Sequence, residues 1–231
     1  MTNNIRLNHK GATYTAYSDK IISQMPLLKE DSCDPISFAE LMRVRLEALS
    51  APKEIRDSWW RPDIYTGDAM LYHPDYKIKL VRDAYLIREL NAKSEVFEGQ
   101  IVLPEFAYEQ TTGVEFDNEF LRCNHEFHSL EEVLDNPLWN ALARDPELLK
   151  KYATAVFKET NERHPISPGS NRSMPIHFGS FYGMPTLVLM RAGGVQGCCD
   201  ADAGNRFDFS LGKLIGVKHY RWQYKPDSNR R

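Results

Sequence analysis

The spacing of apolar residues changes its period near residue 164, and no other feature of the sequence constrains the fold as strongly. Before this point, apolar side chains recur at helical intervals behind helix-start signals, which are Ser37 with Glu40, Ser129 with Glu132, and Asp145-Pro146. After it, short apolar runs separated by glycine-bearing turns predict strands. The chain is therefore predicted to be an α+β protein, with helices and strands in largely separate parts of the sequence.

The same change of period predicts how the chain is organised. Residues 1–163 are expected to form a mainly helical, acidic body with a β-hairpin near residues 69–82. Residues 164–173 are rich in Pro, Ser, Gly and Asn and are predicted to be a linker. Residues 174–231 are predicted to form an antiparallel β region that shares a core with the body, because short strands alone would cover only one face.

Composition indicates an intracellular globular protein. Apolar residues make up 42% and charged residues 26% of the sequence, which are ordinary values for a folded domain. No apolar run approaches the ~20 residues that cross a bilayer, and the N-terminus lacks the apolar core of a secretory signal. Two of the four cysteines, Cys198 and Cys199, are adjacent, which argues against a secreted disulfide framework. We expect a soluble cytoplasmic protein with free thiols and no membrane contact.

Charge is unevenly distributed along the chain. Residues 164–231 contain nine Lys or Arg and four Asp, which gives +5. Because the whole chain carries −3, the preceding residues must carry −8. An acidic body joined to a basic segment predicts an anionic partner, or contact between the two parts of the chain within one assembly.

The last predicted strand combines cations with aromatic side chains. Its site residues, with the two final arginines, are Lys218, Tyr220, Arg221, Trp222, Tyr224, Lys225, Arg230 and Arg231. Cations bind phosphates and aromatic rings stack on unpaired bases, so this segment predicts contact with an anionic protein surface or with nucleic acid. The alternative is that its aromatic face packs on the core while its charges form a solvated rim.

A second candidate site lies between residues 123 and 128. Cys123, His125 and His128 supply a thiol and two imidazoles, which are zinc ligands, and Glu126 is placed to act as a general base. The three ligands converge only if the chain bends, and their spacing matches no common zinc signature. The alternative is a polar loop in which Cys123 is buried as a small apolar residue.

Two further motifs are expected to be turns. Residues 200–205 begin like a calcium loop but lack the later glycine and glutamate, so a polar hairpin turn is expected. Residues 193–197 are glycine-rich and follow a predicted strand, but no helix follows them. A glycine-rich turn is therefore favoured over a phosphate-binding loop.

These patterns lead to two predictions of function. The first is a non-catalytic binding or assembly protein without a cofactor, whose basic C-terminal β region contacts an anionic partner. The partner would be another protein, a second copy of the chain or nucleic acid, and a larger or viral particle is one setting for such a protein. The second is a zinc-dependent hydrolase that uses Cys123, His125 and His128 as ligands and Glu126 as base.

Overall fold

The computed structural model describes residues 2–9, 12–117, 119–120, 129–163, 174–194, 199–204 and 212–219. Helices and strands are both abundant in them, which confirms the α+β class. The helices are α1 (Ile21–Glu30), α2 (Phe38–Ala48), α3 (Lys53–Trp60), α4 (Tyr85–Arg88), α5 (Ala107–Gln110), α6 (Leu130–Asp135), α7 (Pro137–Ala143) and α8 (Pro146–Arg163). The strands are β1 (Thr2–His9), β2 (Ala12–Tyr17), β3 (Asp34–Pro35), β4 (Ile64–His73), β5 (Lys77–Val81), β6 (Val96–Phe97), β7 (Gln100–Val102), β8 (Val114–Phe116), β9 (Ile176–Phe178), β10 (Thr186–Ala192), β11 (Ala201–Ala203) and β12 (Lys213–His219).

All of these strands belong to one connected sheet. Its main path runs β1-β2-β12-β4-β10-β11-β9, and the remaining strands branch from β12, β4 and β10. β12 lies between β2, to which it is antiparallel, and β4, to which it is parallel. Strands from the beginning and from the end of the chain are therefore neighbours near the centre of the sheet.

The distribution of strands differs from the predicted one in two ways. Strands β1 to β8 precede residue 163, so the first part of the chain contributes most of the sheet as well as its helices. The strands after residue 173 are not purely antiparallel, because β9 pairs in parallel with β11 and β12 with β4. Strands of two or three residues, such as β3 and β11, are too short to show alternation in the sequence. The predicted linker at 164–173 lies outside the described residues.

Helices cover both faces of the sheet. On one face α2, α3, α6, α7 and α8 pack together over the larger core, which receives Met70 and Tyr72 from β4. On the other face α1 and α4 cover a smaller core, which receives Ala69 and Leu71. Because alternate residues of β4 enter opposite cores, every residue of this strand except His73 is buried. None of the helices, in the part of the chain described, is long and apolar enough to cross a membrane.

Local sequence signals correctly predicted several elements. The Ser37 hydroxyl caps α2 by accepting the Glu40 N–H at 3.2 Å. Ser129 and Glu132 form a complete capping box at the start of α6. The predicted hairpin is β4–β5, although β4 begins five residues earlier, at Ile64. These signals succeed because each one involves residues close together in the chain.

Candidate functional site

Most of the residues predicted to carry function lie outside the described residues. They are Cys123, His125, Glu126 and His128 of the zinc hypothesis, and Tyr220, Arg221, Trp222, Tyr224, Lys225, Arg230 and Arg231 of the basic segment. Both hypotheses therefore stay predictions. Among the residues that are described, no group of His, Cys, Asp and Glu is arranged to hold a metal ion.

Lys218 belongs to the basic segment and is described. It lies on β12 with its side chain exposed, while the preceding Val217 is buried. β12 also pairs with β3, which places Val217 opposite Asp34 and brings Lys218 close to Cys33. Burial raises the pKa of the Cys33 thiol, and the positive charge of Lys218 opposes that shift. The start of the basic segment therefore borders β3.

Three chain connections carry accessible aromatic side chains that contact one another. Tyr76 lies in the β4–β5 turn and Phe97 ends β6, and they are 57% and 44% exposed. Phe181 and Tyr182 belong to the connection between β9 and β10 and are half-buried. We call these four residues the hairpin-end surface.

Ring contacts join the hairpin-end surface into one patch. The ring centroids of Tyr76 and Phe181 are 5.1 Å apart, and those of Phe97 and Tyr182 are 5.1 Å apart in an edge-to-face arrangement. Phe181 and Tyr182 are consecutive, so the backbone connects the two pairs. Phe181 also meets the buried Tyr72 edge-on at 5.2 Å, which ties the patch to the larger core.

The two hairpin ends have defined backbone conformations. Tyr76 has a φ of 60°, in the left-handed region, and its N–H donates to the His73 carbonyl at 3.1 Å. After Phe97, Glu98 and Gly99 have φ values of 48° and 81°, as a two-residue type I′ turn requires. Such a turn matches the twist of its strands, so Phe97 is presented by a regular hairpin.

Two buried polar side chains hold the β9–β10 connection in place. The Tyr72 hydroxyl accepts the Gly179 N–H at 2.8 Å and donates to the Ala203 carbonyl at 3.0 Å. The Gln100 side-chain amide donates to the Ser180 carbonyl at 3.1 Å. Burial raises the pKa of Tyr72, so this hydroxyl keeps its proton at neutral pH. The connection is thus held by the fold, which lowers the ordering cost of binding a partner.

A mostly buried ionic cluster lies at the opposite end of β10. Arg191 donates to Asp63 and, at 2.6 Å, to Asp202, and its Nη2 lies 3.6 Å from Oδ2 of Asp200. His177 Nε2 lies 3.5 Å from the same Asp200 oxygen. Burial raises the pKa of Asp200 to about 6, although the Arg191 charge opposes the shift. We interpret the cluster as structural, because it ties β9, β10 and β11 to the residue before β4.

The two motifs expected to be turns contribute to this packing. Ala201–Ala203 form β11 between β9 and β10, so the prediction of a polar hairpin turn is wrong. Its flanking strands are formed by distant segments, which the local sequence does not reveal. A Cβ atom would lie 1.8 Å from Asp200 Oδ1 at Gly193, and 2.0 Å from the Arg61 carbonyl oxygen at Gly194. Close packing explains these two glycines, and residues 195–197 lie outside the described part of the chain.

Sequence reasoning missed the hairpin-end surface. Its residues come from three separate segments, and no motif connects positions 76, 97 and 181–182. The available signal was the predicted hairpin near residues 69–82, which has Tyr76 close to its middle and therefore near a chain reversal. Only the tertiary structure brings the three connections together, as the ring contacts show.

Comparison with known proteins bears on the fold. None of the protein-family models matches the sequence, and no curated protein matches it. A solved structure described as "Accommodation of massive sequence variation in Nanoarchaeota by the C-type lectin fold" is similar, with a TM-score of 0.63. The two chains are 14% identical, and the match covers 92% of this chain and 100% of the other. At this identity the likeness concerns the fold alone. The chain is therefore an α+β protein whose fold is similar to the C-type lectin fold.

Proposed function

We propose that this chain is a non-catalytic binding protein that holds a protein partner on its hairpin-end surface. The observation that carries the proposal is the exposed pairing of Tyr76 with Phe181 and of Phe97 with Tyr182. Aromatic side chains supply a large contact area at low cost in conformational entropy, and they dominate binding hot spots. Recognition residues are also commonly carried by connections that a rigid scaffold positions.

The charges beside these rings indicate the chemistry of the partner. Asp75, with 72% of its side chain exposed, precedes Tyr76, the exposed Lys77 follows it, and Glu98 follows Phe97, so carboxylates outnumber cations by two to one at these positions. Arginine suits such a surface because its planar cation stacks on aromatic rings and pairs with carboxylates. The expected partner is a protein that presents apolar side chains and arginine.

The fold neighbour supports a binding role in general terms. Its description concerns sequence variation that the fold accommodates, and a scaffold tolerant of variation is suited to recognition. Contact of the basic C-terminal region with an anionic partner is a further prediction for the same role. Nucleic-acid binding and assembly into a larger or viral particle are also predictions for this role, and the fold neighbour does not address them.

Site-specific photo-crosslinking in the full chain tests the proposal. A crosslinking residue replaces Phe97 in one protein and Tyr85 in the control, because Tyr85 is 60% exposed on α4, outside the hairpin-end surface. Both proteins are irradiated in an extract of the cells that produce the chain. We expect a protein captured at position 97 and not at position 85, and that protein is then produced recombinantly.

Affinity for the recombinant partner decides the outcome. We expect Tyr76→Ser/Phe97→Ser to weaken binding at least about 30-fold, corresponding to about 2 kcal/mol for one lost hot spot. Tyr85→Ser should bind as tightly as wild type, and melting curves should show that all variants fold. Equal capture at both positions, or binding that survives the double substitution, would contradict the proposal.

A further inference from the structure

Two clefts adjoin beside β3 and share Asp34 and Arg88 among their lining residues. The larger has a volume of about 380 Å³ and an apolar wall formed by Met25, Leu28 and Cys33. The smaller has a volume of about 270 Å³. We call the two clefts together the β3 groove. Its size suits a few side chains of a bound peptide.

The smaller cleft makes one half of the β3 groove acidic. The charged residues that line the whole groove are Asp34, Glu40, Asp83 and Glu89, against Lys29 and Arg88. Four acids against two cations leave an excess of two negative charges among the lining residues, and one of the acids, Asp83, is also paired with Arg144 at 2.6 Å. Glu40 and Asp83 both belong to the smaller cleft. The groove therefore has an apolar half and an acidic half.

The ion pairs at the rim of the groove are exposed. Arg88 lies 3.1 Å from Asp34, and these side chains are 47% and 53% exposed. Lys29 lies 3.1 Å from Glu89, and these are 62% and 71% exposed. Exposed pairs contribute little to stability, so an incoming cation can replace Arg88 on Asp34 without disturbing the fold.

We infer that the β3 groove binds the C-terminal segment, residues 220–231, of a second copy of this chain. The charged and aromatic residues of the segment are Tyr220, Arg221, Trp222, Tyr224, Lys225, Asp227, Arg230 and Arg231. Its three aromatic side chains suit the apolar half of the groove, and its four cations suit the acidic half. The inference names the partner of the basic C-terminal region, and it does not depend on the hairpin-end surface, since it concerns another surface and another partner.

The direction of β12 favours a second copy over the same copy. β12 is antiparallel to β3, with Gly216 opposite Pro35 and Val217 opposite Asp34. The chain therefore leaves β12 past Cys33, heading away from the acidic half. A segment that continued in the direction of β12 would not meet the acidic half of its own copy, whereas the segment of a second copy can approach that half from outside. Reciprocal exchange of the segment between two copies would give a closed symmetric dimer.

Sedimentation velocity on the full chain and two variants tests the inference. Asp34→Lys alters the groove, and Arg221→Gln/Trp222→Ser alters the segment. We expect wild type to dimerise at low salt and each variant to weaken dimerisation at least about tenfold. Glu105→Lys is the matched control, because Glu105 is exposed and does not line the groove. If Asp34→Lys has a lower melting temperature than wild type, Glu89→Lys replaces it as the groove variant, since the Glu89 side chain is 71% exposed.

Mixing the two variants distinguishes exchange between copies from other contacts. The segment variant keeps an intact groove and the groove variant keeps an intact segment, so one complementary contact re-forms in a mixed dimer. We expect the mixture to associate more tightly than either variant alone. High salt should weaken the wild-type dimer, because the Debye length shrinks to ~3 Å at 1 M.

Three results would overturn the inference. They are wild-type chains that stay monomeric at low salt, dimerisation that both variants leave unchanged, and a mixture that associates no better than its components. Monomeric wild type that binds a polynucleotide through the segment would assign the segment to nucleic acid instead. Tyr76→Ser/Phe97→Ser should dimerise like wild type, so failure of this inference and failure of the proposed function are distinguishable.

Discussion

The Arg45 guanidinium donates to the Tyr152 hydroxyl at 2.9 Å, so a fully buried cation on α2 meets a buried phenol on α8. Burial raises the pKa of Tyr152 to about 12, which keeps this acceptor neutral. The guanidinium also donates to the backbone carbonyls of Trp59 at 3.0 Å, Gly193 at 2.9 Å and Pro62 at 3.3 Å. One arginine therefore joins three helices of the larger core, α2, α3 and α8, to the chain beside β4 and β10.

Replacing Arg45 should destabilise the fold strongly. Arg45→Met keeps the apolar stem but removes the donors, and each buried carbonyl left unpaired costs about 1–3 kcal/mol. We expect a loss of about 3 kcal/mol or more in the free energy of unfolding, measured by urea denaturation. Arg43→Met on the same helix is the control and should change stability by about 0.5 kcal/mol or less. If the two variants lost similar free energies of unfolding, the buried hydrogen bonds of Arg45 would not be the cause of the destabilisation.

Ionisation of the Asp200 carboxyl should lower the free energy of unfolding as the pH rises. Its pKa is about 6 in the fold, against about 4 in an unfolded chain, so the folded state binds the proton more tightly. Stability should therefore fall between about pH 4 and about pH 6 and level off above that range.

Comparing wild type with Asp200→Asn isolates this contribution from the nearby His177. The free energy of unfolding is measured in urea at about pH 4 and about pH 7. Its decrease between these two pH values should be larger by about 3 kcal/mol in wild type than in the variant. Glu105→Gln removes an exposed carboxylate and should keep the wild-type profile. If the free energy of unfolding of Asp200→Asn fell with pH as steeply as that of wild type, Asp200 would not be the group responsible.

The two glycines Gly194 and Gly183 should respond differently to the same substitution. In Gly194→Ala the new Cβ lies 2.0 Å from the Arg61 carbonyl oxygen, a backbone atom that cannot rotate away. Overpacking of this kind costs about 1–3 kcal/mol. At Gly183 no heavy atom lies within 4 Å of the Cβ position, so alanine should be neutral or slightly stabilising. Melting temperatures should separate the variants, and equal shifts would contradict the close packing at Gly194.

Zinc content tests the alternative function. We expect purified protein, dialysed without chelator, to retain far less than one equivalent of zinc, because the spacing of Cys123, His125 and His128 matches no common signature. A thiolate–imidazole site would bind zinc tightly enough to survive dialysis. A full equivalent that is lost in Cys123→Ser would establish the site and favour the hydrolase hypothesis.

The sequence by itself determined the elements whose signals are local. Ser129 and Glu132 are three residues apart, so their capping box could be predicted without tertiary contacts. The hairpin β4–β5 was predictable for the same reason, because proline and aspartate lie in its turn. The α+β class followed from such elements, since the two periodicities depend on neighbouring residues.

Only the tertiary structure decided which strands pair and which surfaces result. β11 has three residues, and its position between β9 and β10 depends on partners formed by other segments. The pairing of β12 with β2 joins distant parts of the chain, and its energy comes from cross-strand contacts that no local pattern records. The hairpin-end surface has the same origin: Tyr76 and Phe181 meet because β4 pairs with β10, which places the ends of separate connections side by side.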